Sequence, residues 1–251
     1  MKPILSKEQF IASYKLQKFA YKAIDKFKLS FPIYSNSNLA KIVSYLTFDG
    51  HLRRDMKVFS FASGKISLLK EFMDITEKEF GISGEIRKVP TSYGTSYEYR
   101  VISQPLSRVL NLIGTPSGNK IYVDFRVPKW IKESRTFSRE YLRVAFDCEG
   151  SVWKEGVNRI KIRFGLNKHS KMLDNCMKFL DDMKNMLLDF NIKTTETWFG
   201  KGNIRKDGNT TLFLRFNIRS ESMSLFKKEI GFNIYHKNKL LEWGLKGHGT
   251  S

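Results

Sequence analysis

Leu39-Ala-Lys-Ile-Val-Ser-Tyr-Leu-Thr-Phe-Asp-Gly50 and Tyr141-Leu-Arg-Val-Ala-Phe-Asp-Cys-Glu-Gly150 are one pattern written twice in the 251-residue chain. Each is an apolar helical stretch that ends in acid-glycine. A pattern repeated at this separation divides the chain into two comparable units, and the length suits one to two domains with sizeable cores.

The segments after each acid-glycine are repeated as well. A basic segment with alternating apolar positions comes first, and then an amphipathic helix. In the first copy these are Lys57 to Ala62 and Ile66 to Phe80, with Leu69, Phe72, Met73, Thr76 and Phe80 at helical spacing. In the second they are Asn158 to Leu166 and Lys168 to Phe190, where Leu173, Cys176, Leu180, Met183, Leu187 and Phe190 form the stripe. Two strand-like runs and a short helix close each copy: Ser83 to Val89, Tyr97 to Ser103 and Pro105 to Ile113, then Ile192 to Phe199, Thr211 to Ser220 and Ser222 to Ile230. The reading is an α+β protein of two pseudosymmetric αββαββα repeats. Residues 1–34 form a helical lead-in, with Phe10, Tyr14, Leu16, Phe19, Ala23 and Phe27. The first repeat spans 35–120, a linker with Pro128 covers 121–136, the second repeat spans 137–245, and 246–251 is a frayed tail.

Lys and Arg number 44 against 25 Asp and Glu, a formal charge of +19, while 41% of residues are hydrophobic and 14% aromatic. Such a chain folds and carries its charge outside, so a polyanionic partner is expected. Two cysteines, Cys148 and Cys176, and four histidines exclude a disulfide framework and a four-ligand zinc cluster. With no apolar run of about 18 residues and no secretory start, the expectation is a reduced, cytoplasmic or organellar setting without a membrane partner.

A carboxylate in the last turn of a helix meets the negative end of the macrodipole and unsatisfied carbonyls. One such acid before a glycine C-cap is tolerated at a few tenths of a kcal/mol. Two of them, Asp49 and Glu149, at equivalent ends of equivalent helices would converge if the helices pack with twofold pseudosymmetry. Together with the carbonyls of Gly50 and Gly150 they would make an oxygen cage for a hard cation, Mg²⁺ above all.

In Asn158-Arg-Ile-Lys-Ile-Arg-Phe164 the period of two sends Arg159, Lys161 and Arg163 to one face and Ile160, Ile162 and Phe164 to the other. Thr211 to Arg219 repeats the arrangement, with Leu212, Leu214, Phe216 and Ile218 inward and Arg215, Asn217 and Arg219 outward. Arg53, Arg54, Arg87, Lys88 and Arg100 are the counterparts in the first half. Lys201, Arg205 and Lys206 are expected on loops, positioning phosphates.

Ile42-Val-Ser-Tyr-Leu-Thr-Phe-Asp-Gly50 and Leu142-Arg-Val-Ala-Phe-Asp-Cys-Glu-Gly150, each heading an αββαββα unit, resemble the two motifs of a single-chain LAGLIDADG homing endonuclease. The resemblance spans about residues 35 to 245. It implies a monomer with a saddle of antiparallel sheets that cuts a long asymmetric duplex DNA site by metal-dependent hydrolysis. Mg²⁺ is the expected metal, with Mn²⁺ as a substitute and Ca²⁺ supporting binding without cleavage. It also implies that Asp49 and Glu149 bind the metals and that a lysine near the end of each half tunes the attacking water. Lys120 and Lys237 are the best matches, and Lys239 rivals the latter. Thr47 stands where the motif often has its first acid and Phe48 where it has a small residue. The ends of the chain lack a splicing nucleophile and a terminal His-Asn, which suggests a freestanding, intron-encoded protein rather than an intein. The alternative is a catalytically silent relative, an RNA maturase bound to intron RNA or a DNA-binding regulator.

Overall fold

The computed structural model describes residues 2–91, 94–156, 159–205 and 208–246. The chain forms two compact units, Met1–Gly118 and Asn119–Ser251.

The first unit opens with strand β1 (Pro3–Leu5), helices α1 (Lys7–Ala12) and α2 (Gln17–Phe27), and strand β2 (Ile33–Tyr34), which pairs with β1. The repeat proper then runs α3 (Ser37–Thr47), β3 (Gly50–Leu52), β4 (Val58–Ser63), α4 (Ile66–Phe80), β5 (Glu85–Thr91), β6 (Gly94–Ile102) and α5 (Gln104–Leu112). The second unit begins with α6 (Lys129–Lys132). It continues α7 (Arg135–Glu149), β7 (Gly150–Glu155), β8 (Arg159–His169), α8 (Leu173–Leu188), β9 (Trp198–Ile204), β10 (Thr210–Asn217) and α9 (Met223–Glu229), and adds α10 (Tyr235–Lys246). The antiparallel sheets have the same order, β3-β4-β6-β5 and β7-β8-β10-β9, so the duplication legible in the sequence is a duplication of topology.

The motif helices are the buried axes of their units. In α3 every residue from Leu39 to Thr47 except Lys41 is buried. Asn36 starts it by accepting the Leu39 N–H, and Ser134 starts α7 by accepting the Phe137 N–H. Each sheet lays its apolar face on its helices. In the first unit Tyr45, Phe61, Phe72 and Tyr99 form a chain of ring contacts 4.7–6.0 Å apart. In the second, Phe146 meets Phe164, Phe226 and Phe232 at 4.9–6.5 Å, and Phe164 stacks on Phe216. Such offset and edge-on pairs add stabilisation beyond their burial.

Two sequence expectations shift. Lys168 belongs to β8 rather than to a helix, because it pairs with Leu212 and its ammonium is cradled by the carbonyls of Lys120 and Val123 over the Phe125 ring. Helix α8 therefore begins at Leu173. The strand expected at 192–199 is displaced to Trp198–Ile204, leaving only an isolated Thr194–Ile218 bridge upstream. The segment 121–136, read as the linker, packs on the second unit: Val127 and Ile131 are buried, and Arg126 and Lys132 both bind Asp182 at 2.8 Å.

Among the described residues no helix is long and apolar enough to cross a membrane.

Candidate functional site

In both units the motif helix stops at the same chemical event. Helix α3 ends at Thr47 and the chain turns through Phe48 and Asp49 into β3, while α7 runs to Glu149 and passes directly into β7. Asp49 is exposed and Glu149 half-exposed, although most of the residues before them are buried. Glycine comes next because the turn is tight. A Cβ at Gly150 would lie 2.3 Å from the Phe146 carbonyl oxygen, and one at Gly50 would lie 2.8–2.9 Å from the Leu46 Cα and from the Ser60 and Tyr45 oxygens. The acid is thus held at the end of a rigid helix, against backbone that cannot retreat.

The end of α7 carries a capping device built from partners far along the chain. Lys237, in the first turn of α10, donates to the carbonyls of Phe146 (3.1 Å), Asp147 (2.6 Å) and Gly150 (2.6 Å). An ammonium there satisfies orphan carbonyls and offsets the negative end of the dipole. In return the buried Asp147 carboxylate accepts the N–H groups of Asn233 (3.0 and 3.2 Å) and Ile234 (3.2 Å), immediately before α10. Each helix therefore caps the other: α7 supplies the anion for the start of α10, and α10 supplies the cation for the end of α7. Thr47, the counterpart of Asp147, instead donates its hydroxyl to the Val43 carbonyl of its own helix at 2.7 Å. The Asp147 partnership has no sequence signal of its own beyond the departure at Thr47.

Of the two lysines selected from the sequence, Lys237 stands at its acid-glycine turn, and Lys239, its rival, lies over the Tyr235 ring at 4.7 Å. Lys120 lies within the second unit, half-buried, with its carbonyl accepting from Lys168. The Gly150 carbonyl, a candidate metal ligand, accepts from Lys237 at 2.6 Å. No group of three or more His, Cys, Asp or Glu suited to a metal occurs among the described residues. Each unit therefore offers one motif carboxylate plus backbone carbonyls, an all-oxygen set suited to a hard cation.

The second unit's outward sheet face is the strongest cationic surface of the expected kind. Ile160, Ile162, Phe164, Leu214, Phe216 and Ile218 are buried as the alternation requires, and Leu212 is half-buried. On the other face Arg163 stands opposite Asn217 and Ser151, and Arg215 stands opposite Gly165 and Trp198. The guanidinium of Arg215 stacks on Trp198 at 4.2 Å and that of Arg163 on Trp153 at 4.6 Å. Gly165 is buried beneath Phe213, whose ring a Cβ there would meet at 2.6 Å. Burial, and next the charge of Arg215, push the Arg163 guanidinium down from its ordinary value. Two cations held together despite mutual repulsion form a focus for an anion.

The remaining candidates are unequal. Arg159 is exposed, Lys161 pairs with Glu155 at 2.9 Å, and Arg219 donates to the Thr194 carbonyl. Lys201 is in β9 rather than in a loop, paired with Leu212 and hence on the face opposite Arg215. Arg205 borders the β9–β10 turn and Lys206 lies outside the described residues. In the first unit Arg100 stands between Ser60 and Glu85, and Arg87 is bound to Glu85 at 2.6 Å. Lys88 pairs with Tyr97, on the face opposite Arg87. Arg53 and Arg54 are exposed on the β3–β4 turn, Arg53 paired with Asp55. The cationic face is therefore lopsided: stacked arginines in the second unit, arginines diluted by Glu85 and Glu98 in the first.

Residues 136–231, which carry the second motif helix and its sheet, match the LAGLIDADG-like domain. The fold of the whole chain is similar to that of the homing endonuclease I-WcaI, solved bound to its DNA recognition sequence, with a TM-score of 0.51 at 9% identity over 95% of this chain and 98% of that one. The α+β, two-repeat reading of the sequence is thus the observed fold. By sequence the chain is 28% identical over 171 residues to the tRNA-splicing ligase RtcB of Methanopyrus kandleri, and 26% identical over 170 residues to the replication factor C small subunit of Methanocaldococcus jannaschii. Each match takes in 62% of this chain but only 17% and 9% of those proteins, so the chain spans less than a fifth of the curated relatives it matches.

Proposed function

We propose that this LAGLIDADG-like protein is a sequence-specific DNA endonuclease that hydrolyses both strands of a duplex, using divalent cations taken up by Asp49 and Glu149. The observation that carries the reading is the repeated helix end. In each unit a buried helix delivers one carboxylate outward at a glycine turn with no room for a side chain. Oxygen donors of this kind suit Mg²⁺, and Mn²⁺ would substitute. When bound, such a cation supplies an activated water at neutral pH and charge compensation for the scissile phosphate.

The chain's own groups provide the rest. Lys237 places a fixed positive charge at the turn that carries Glu149, where it favours an approaching phosphate and holds the helix end still. Arg163 and Arg215 enter the major groove as stacked, preorganised forks able to make bidentate contacts to guanine. Arg53, Arg54 and Arg159 contribute backbone contacts and salt-dependent affinity. The two curated matches support a mobile element: a splicing ligase and a replication factor differ in chemistry, yet each shares with this chain a segment of nearly the same length. A unit inserted in unlike hosts would leave such a trace.

The test is cleavage of a randomised duplex library in Mg²⁺, followed by Asp49→Asn and Glu149→Gln on the selected site. Each substitution should abolish double-strand cutting while binding in Ca²⁺ or EDTA survives. Wild-type cutting by both variants would defeat the metal mechanism. A wild type that cuts no duplex but binds intron RNA tightly would replace it with the maturase reading.

A further inference from the structure

The N-terminal segment that precedes the first repeat builds a groove that neither the paired acids nor the outward sheet faces use. It lies between α2 and the N-terminal end of α5, with a cavity of about 630 Å³. Its walls are Leu16, Phe19, Ala23, Phe27, Ile102 and Pro105. Three of these are far more open to solvent than a folded chain normally leaves a cluster of large apolar groups: Leu16 54%, Phe19 50% and Ile102 68% exposed. Its charged lining is wholly cationic among the described residues, with Lys15, Lys22 and Lys26 beside the α2 wall and Arg108 on α5.

The floor adds a directional element. The Arg108 guanidinium stacks on the Tyr14 ring at 4.2 Å and donates through Nη1 to the Ser13 carbonyl at 2.7 Å. Its Nε and the Tyr14 hydroxyl are both buried without a hydrogen-bond partner among the described residues. Burying two such groups unpaired is costly, and an acceptor reaching between them would recover that cost. A carboxylate is the acceptor that matches both the fork of the guanidinium and the positive rim.

We propose that this groove docks an acidic amphipathic helix of a partner protein, its apolar seam on Phe19, Phe27 and Ile102 and its carboxylates on Lys15, Lys22, Lys26 and Arg108. Helix-in-groove docking reads apolar anchors at i, i+3, i+4 and i+7, and the 11-residue α2 offers about 16 Å of wall, three turns of such a seam. Duplex DNA matches the charge but not the walls, since its backbone has no apolar side chains with which to cover Leu16, Phe19 and Ile102. The proposal stands apart from the nuclease reading, because none of these residues belongs to the acid-glycine turns or the arginine face.

The test uses the full chain and a synthetic helical peptide with Leu and Phe at i, i+3, i+4 and i+7 and Glu elsewhere. Two comparison peptides carry Lys in place of Glu, or Ala in place of the apolar residues. Binding is followed by fluorescence anisotropy and located by amide shifts. The Glu peptide should bind at least tenfold more tightly than either comparison peptide, with shifts confined to residues 14–27 and 102–108. Phe19→Ser together with Ile102→Ser, and separately Lys22→Glu together with Lys26→Glu, should each weaken it at least tenfold while duplex binding is unchanged. Both pairs lie at the surface, so melting temperatures should match the wild type. Equal binding by the Ala peptide would overturn the proposal by showing charge alone. Displacement of the Glu peptide by duplex DNA would overturn it by assigning the groove to nucleic acid. A dimer in sedimentation equilibrium, dissolved by Phe19→Ser, would overturn it by making a second copy the occupant.

Discussion

Asp147→Ala should be among the most destabilising single changes in the second unit, although the acid sits where the dipole of its own helix repels it. The wild-type carboxylate is buried and accepts the Asn233 and Ile234 N–H groups. Removing it leaves the buried Ile234 N–H unsatisfied at about 1–3 kcal/mol, and the N–H of the exposed Asn233 loses a bond worth about 1 kcal/mol. Relief of a negative charge at the end of α7 returns about 0.3–1 kcal/mol. The net loss is about 1–4 kcal/mol, against which Asp147→Asn should cost about 1 kcal/mol, because a single oxygen, Oδ1, serves both donors and remains an acceptor. Thr47→Val, at the matching position of the first unit, removes only a hydroxyl bond within its own helix and should cost about 0.5 kcal/mol. Urea denaturation gives the three values, and amide exchange locates them: protection should fall at residues 233–238 in Asp147→Ala. Duplex binding should survive, since α10 packs against Ile160 on the inner face of β8, whereas Arg163 and Arg215 are held on the outer face by Trp153 and Trp198. An Asp147→Ala protein within about 0.5 kcal/mol of wild type, with exchange at 233–238 unchanged, would refute reciprocal capping.

Gly150→Ala should destabilise by about 3 kcal/mol or more, because its Cβ would press on the Phe146 backbone rather than on a movable side chain; a melting temperature equal to wild type would contradict this. Burial pushes the Lys168 ammonium down to about 8 and the Cys176 thiol up to about 11. Between pH 8 and 9 the unfolded lysine keeps a proton that the folded one sheds, so stability should rise with pH, by at most about 1.4 kcal/mol over that unit. Above pH 9 the unfolded thiol ionises first and adds a further proton-uptake difference of the opposite sense to the lysine's rise only if the folded thiol stays protonated, so the urea midpoint should climb from pH 8 to 9 and then flatten; the climb persisting in Lys168→Met would assign it elsewhere. Trp198→Ala should release Arg215 and cut discrimination between a selected site and random duplex by about 0.5–1 kcal/mol, leaving the salt slope of binding intact. A change in salt slope without loss of discrimination would make Arg215 a phosphate contact.

The features legible in the sequence were those that repeat with a period. The twofold recurrence of an apolar run closed by acid-glycine marked the motif helices, because their burial on nearly all sides leaves an almost unbroken apolar string. The alternation through Arg159 to Phe164 marked the sheet face, because one side of β8 packs and the other does not. The features that escaped depend on partners far along the chain. Lys168 has the sequence context of a helix start, and only the carbonyls of Lys120 and Val123 make it a strand residue with a buried ammonium. Asp147 meets the start of α10 some 86 residues later. Trp153 and Trp198, which hold the two arginines, are on the neighbouring strands β7 and β9.

The two units share a topology but differ at the matching positions Asp147 and Thr47, and the difference bears on how the acids work. A carboxylate at a helix C-terminus is least costly where a cation neutralises the carbonyls behind it. Glu149 has that support in Lys237, and Asp147 anchors the helix from which Lys237 comes. Asp49 comes after a helix whose corresponding residue, Thr47, spends its hydrogen bond on its own backbone. The arginine face is lopsided in the same sense, with stacked guanidiniums in the second unit and acids among the arginines in the first. The stacked arginines make the second unit's sheet face the more preorganised of the two. Under the nuclease reading the strand served by Glu149 is then cut first, and supercoiled substrate should pass through a nicked form whose nick lies on one strand. Asp49→Asn should let that nicked form accumulate, whereas Glu149→Gln should suppress it. Equal nicking of both strands by the wild type would mean that the asymmetry of the arginine faces has no consequence for the chemistry.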